Sequence, residues 1–96
     1  MNLSVRFSIR AGETYDAVIA QLNARWGEKF VNRFEQKVAR AIGLISTSPT
    51  LYPLADFGIE VRRCVLHKNC SMFYRVHQAH ITVLYFWDNR QDPIIY

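Results

Sequence analysis

Four arginines and a phenol in the last third of the chain have the chemistry to meet a phosphate: Arg62, Arg63, Arg75, Arg90 and Tyr96. Arginine grips phosphate oxygens through planar, paired donors and can stabilise charge that builds in a transition state. Arg62 and Arg63 are neighbours on a strand-like run, so they point to opposite faces and at most one shares a face with a given target. Arg75 follows Tyr74 in the middle of the next such run, and Arg90 lies just past the last one, ahead of Pro93. Cys64, His67 and Cys70 have a spacing that invites a metal, but strand alternation sends Cys64 and His67 to opposite faces. No fourth ligand completes a tetrahedral set, so neither a metal nor a cofactor is expected. His77 and His80 flank a turn, where imidazoles are usually solvated.

The elements that position these groups follow from periodicity. Leu3, Val5 and Phe7 alternate with Ser4 and Arg6, the period of a strand with one buried face. Ser8 can cap a helix, and Ala11, Tyr15, Val18, Ile19, Leu22 and Trp26 then recur at helical spacing up to Gly27. Phe30, Phe34, Val38, Ala41, Ile42 and Ile45 mark a second helix, which the stretch Ser46 to Pro53 ends. So short a link makes the two an antiparallel hairpin. Residues 60–66, 70–77 and 80–87 are strands joined near Lys68-Asn69 and Gln78-Ala79, and residues 51–58 form the one substantial loop. The first of these turns opposes His67 with Cys70 and Cys64 with Phe73, which leaves the thiols free, as suits a reducing compartment.

At 96 residues, half of them hydrophobic, the chain fits a single domain over residues 1–96. A net charge of +4 and a pI near 9.4 admit nucleic acid or an acidic protein as partner. Neither a signal peptide nor a membrane span is expected, which points to the cytoplasm and away from a membrane. The strand from Ile81 to Trp87 is apolar on both sides, with Ile81, Val83, Tyr85 and Trp87 on one face and Leu84 and Phe86 on the other. One helical hairpin covers one face of a small sheet. The second needs either the loop at 51–58 or a partner, and Leu84 and Phe86 are the residues expected to meet it.

The order strand, helical hairpin, three-stranded meander, with Val61-Arg62-Arg63, Met72-Phe73-Tyr74-Arg75-Val76 and Trp87-Asp88-Asn89-Arg90-Gln91-Asp92-Pro93, resembles the RelE/ParE superfamily of bacterial toxins. Phe7-Ser8-x-x-Ala11 and Leu22-x-x-x-Trp26 extend the resemblance over nearly the whole chain. It implies an α+β fold of order β-α-α-β-β-β on a mostly antiparallel sheet. It also implies the toxin half of a type II toxin–antitoxin pair, with plasmid stabilisation and growth inhibition as its biology. An antitoxin would cover the apolar face by strand or helix addition.

The superfamily has two branches, and the residues divide between them. The RelE-like branch cleaves mRNA on the ribosome without metal, and its pattern implies catalytic roles for Arg62, Arg90 and Tyr96. This chain departs from that pattern at Cys64 and at Ser71, where the branch has cations. The paired helices, the Arg62-Arg63 doublet and the Arg90-Gln91-Asp92-Pro93 ending look closer to the ParE-like branch, which poisons DNA gyrase. Arg63 and Arg75 are then expected to contact the target or a phosphate. A divergent interaction module without toxicity is the remaining alternative.

Overall fold

The computed structural model describes residues 2–56 and 60–89. Its elements run β1 (Ser4–Phe7), α1 (Ile9–Trp26), α2 (Glu28–Thr47), β2 (Val61–His67), β3 (Cys70–Val76) and β4 (His80–Asp88), the order expected. The strands form one mixed sheet in the spatial order β1-β4-β3-β2, in which β1 runs parallel to β4 and the other pairs are antiparallel.

Ser8 starts α1 as the sequence predicts. Its hydroxyl accepts from the Ala11 N–H at 2.9 Å and donates to the Leu84 carbonyl at 2.7 Å, so one side chain caps the helix and latches it to β4. Gly27, at φ 84°, is the only residue between the helices, and its left-handed backbone is one that a side chain would strain. Val31, Phe34, Val38, Ala41 and Ile45 give α2 its buried stripe. With Ala11 and Leu22 of α1 they pack on Cys64, Met72, Tyr74, Ile81, Val83 and Phe86 of the sheet. Trp26, expected in this core, is instead 44% exposed at its rim, because α1 ends there.

Two irregularities in the sheet overturn the simple alternation. Between β3 and β4 the pairing shifts from Phe73–Tyr85 to Tyr74–Val83, so that Leu84 is an extra residue on β4. Beyond this bulge the faces exchange. Ile81, Val83 and Phe86 face the helices, whereas Leu84, Tyr85 and Trp87 lie with Val61, Phe73 and Ala55 on the other side. The assignment of Phe86 to a partner-facing surface is therefore wrong: it is 2% exposed in the main core. The bulge is held from the helix side, where Thr14 Oγ1 accepts from the Phe86 N–H at 2.9 Å.

The second shift falls between Val65 and His67, leaving Leu66 as the extra residue. Cys64 accordingly opposes Met72 rather than Phe73, while His67 opposes Cys70 as expected. His67 also turns toward the helices, with its ring 5.3 Å from that of Phe30 and 6.2 Å from that of Trp26. Both thiols are free and buried. Among the described residues, no helix is long and apolar enough to cross a membrane.

Candidate functional site

The face of the sheet turned away from the helices is built on an aromatic floor. Phe73 and Tyr85 stack at 4.9 Å, and Trp87 meets Tyr85 edge-on at 6.4 Å. Arginines lie over the floor: the Arg10 guanidinium is 4.7 Å from the Tyr85 ring centre and that of Arg63 is 5.9 Å from Phe73. Ala55, from the loop before β2, adds to the cover of this face.

Arg62 and Arg63 diverge as alternation requires. Arg62 reaches the loop instead of this face, donating through Nη1 to the carbonyls of Tyr52 at 2.8 Å and Thr50 at 3.4 Å. Beside it the Tyr74 hydroxyl donates to the Pro49 carbonyl at 2.9 Å, so the two side chains tie the loop to the sheet. Arg63 stays on the outer face, where its Nε donates to Ser71 Oγ and its Nη2 to Asn89 Oδ1, both at 3.0 Å. Ser71 itself donates to Asn89 Oδ1 at 2.8 Å. The Asn89 N–H and Nδ2 bond the carbonyls of Asn69, Lys68 and His67, so the Arg63–Ser71–Asn89 network clips the end of β4 to the β2–β3 turn.

At the other end of the same face, Arg6, Thr82 and Arg75 sit in one row across β1, β4 and β3. His77 Nε2 lies 3.1 Å from the Thr82 hydroxyl, and the His77 and His80 rings stack at 4.3 Å. Arg75, a predicted contact residue, thus has Arg6 as its companion, which sequence reasoning missed. Arg6 was legible as the polar position of an alternating strand, but only the parallel pairing of β1 with β4 puts it beside Arg75. Arg90 and Tyr96 lie outside the described residues.

A separate cleft of about 520 Å³ opens between α1 and the β2–β3 turn, lined by Leu22, Trp26, Phe34, His67, Cys70 and Asp88. Its thiol is no nucleophile. Burial, with Asp88 and Cys64 nearby, pushes Cys70 from 9.0 up to about 12, and burial lifts the Tyr74 hydroxyl from 10.0 to about 12. Both groups stay neutral in the folded chain and ionise more readily once unfolded. Stability is therefore complete below the unfolded values and is lost as pH climbs through them toward the folded ones. The urea midpoint should hold between about pH 7 and 8.5 and fall above about pH 9, with neither cysteine labelled at neutral pH until denaturant is added. Among the described residues, no three His, Cys, Asp or Glu side chains converge as a metal would require.

Solved structures share this arrangement of sheet and helices. A chain of the chromosomal ParDE TA system from P. aeruginosa matches with a TM-score of 0.73 at 16% identity, over 90% of this chain and 95% of that one. The E. coli DinJ-YafQ toxin-antitoxin complex gives 0.67 at 7% identity over 94% and 96%, and the YoeB dimer from Staphylococcus aureus gives 0.64 at 13% over 91% and 97%. The chain shares the fold of these toxin–antitoxin structures. No protein-family profile and no curated protein matches the sequence, so the likeness is one of architecture.

Proposed function

We propose that this chain is the toxin of a type II toxin–antitoxin pair, that it acts in the ParE-like manner by poisoning DNA gyrase in the cytoplasm, and that a cognate antitoxin neutralises it. The fold supports the toxin assignment, and one observation carries the choice of branch. Of the nuclease-pattern positions among the described residues, Arg62 is spent on the loop, Cys64 is a buried thiol and Ser71 is a buried hydroxyl bonded to Arg63 and Asn89. Metal-free RNA cleavage needs cations and a proton-moving group around the scissile phosphate, and these positions offer none that is free to reach it. A binding mode of action needs only surface. Leu84, half-buried on the outer face, remains the predicted antitoxin contact.

Incubated with gyrase and supercoiled plasmid, the purified chain should trap cleaved DNA while transcripts on translating ribosomes stay intact. Cleaved transcripts with unimpeded gyrase would overturn this reading in favour of the nuclease, which the cationic outer face supports. In that event Arg90→Ala should slow cleavage at least tenfold, by analogy with the loss of other charge-stabilising donors, which cost about 100- to 1,000-fold. Normal growth on induction of the folded, antitoxin-free chain would favour a non-toxic interaction module.

A further inference from the structure

The row Arg6–Thr82–Arg75, with His77 and His80 at its end, is unlike the rest of the outer face. Arg63 is bonded to Ser71 and Asn89, and Arg10 lies over Tyr85. Arg6 and Arg75 are exposed, and no ion pair or hydrogen bond of either side chain is found among the described residues. They stand two strands apart, about 10 Å between backbones, within reach of one another's long arms. The hydroxyl of Thr82 and the imidazole of His77 lie between and beside them.

We infer that this end of the sheet is a docking surface for the phosphate backbone of duplex DNA, with Arg6 and Arg75 as its principal contacts. The anionic character of the occupant follows from two exposed guanidinium groups that have no ion pair among the described residues and from the chain's net charge of +4. Its duplex form follows from what the patch lacks. Proteins that hold single strands add exposed rings on which unpaired bases stack. Here Phe73 and Tyr85 are each only 6% exposed, and the two imidazoles are stacked on each other. Of the more exposed rings among the described residues, Trp87 lies at the far end of this face beside Ser71, and Phe7, 53% exposed, alternates to the other face of β1 from Arg6. Cations set apart from a stacking platform suit a ligand whose bases are turned inward and whose phosphates face out. The contact extends the gyrase reading to the DNA that gyrase holds, without depending on it.

The test is fluorescence anisotropy of the full, antitoxin-free chain against a duplex of about 20 base pairs and its separate strands, across a salt series. The duplex should bind more tightly than either strand. Replacing both arginines, Arg6→Gln with Arg75→Gln, should weaken low-salt binding by roughly tenfold and reduce the slope of log K against log salt by about 2. Arg33→Gln with Arg40→Gln, on α2, removes the same charge from the opposite side and should leave the slope within experimental error. Equal losses from the two pairs would reduce the effect to net charge and overturn the proposal, as would preference for a single strand or no duplex binding at all. Thermal melts matching the parent exclude misfolding as the cause. Because the assay contains no gyrase, failure here leaves the gyrase result standing, and failure of the gyrase experiment leaves this one standing.

Discussion

A Phe86→Ala variant is expected to lose about 3–5 kcal/mol of stability, enough to leave a domain of this size largely unfolded and inactive. Phe86 is 2% exposed, packs edge-on against Tyr15 at 5.1 Å and holds the main core together at the point where α1 crosses β4. Its N–H is also the one that Thr14 satisfies. Leu84, two residues earlier, should behave differently. Lying half-buried on the outer face, Leu84→Ala should cost about 1 kcal/mol or less, and its consequence should be weaker antitoxin binding. Urea unfolding of both variants, followed by titration of Leu84→Ala with the antitoxin, separates the two roles. A Phe86→Ala chain that melts like the parent would mean that the bulge does not turn this ring inward.

That contrast marks what the sequence could and could not show. Strand and helix order, the Ser8 cap, the Gly27 break and the α2 stripe all come from local rules, and the structure agrees with them because local and global preferences coincide there. Alternation alone assigns the faces of β4 differently from the structure, because it counts residues and a bulge inserts one. Nothing near Leu84 in sequence announces the bulge. Its backbone groups are satisfied by Ser8 and Thr14, which the fold brings from the start of α1. The same limit applies to the site. Alternation sends Arg62 and Arg63 to opposite faces, as the structure shows, but their partners are Tyr52 and Thr50 in a loop, Ser71 on β3 and Asn89 just past the end of β4. Arg6 gained its meaning only from a parallel pairing between the first strand and the last. Long-range pairings of this kind leave no local signature.

Restoring the nuclease-pattern cation, Ser71→Arg, should therefore destabilise the chain and fail to create ribonuclease activity. Ser71 is fully buried, with Arg63 Nε at 3.0 Å and Asn89 Oδ1 at 2.8 Å. A guanidinium there would have to displace the hydroxyl's neighbours and stand beside another guanidinium, in a space that holds a side chain of two heavy atoms. Overpacking alone costs about 1–3 kcal/mol, and like charges brought together add to it. Asn89 would lose its acceptor role toward Arg63, leaving the end of β4 held to the β2–β3 turn only by the Asn89 N–H and Nδ2 and the strand pairing. The expected result is a lowered urea midpoint and no gain in transcript cleavage. Pairing the substitution with Arg63→Ser discriminates the causes: if charge and volume at this clip are responsible, the second change should recover a substantial part of the lost stability, because it removes the opposing cation and opens space. A single Ser71→Arg chain that is as stable as the parent and cuts mRNA on ribosomes would place the catalytic face where the nuclease pattern puts it and reverse the choice of branch.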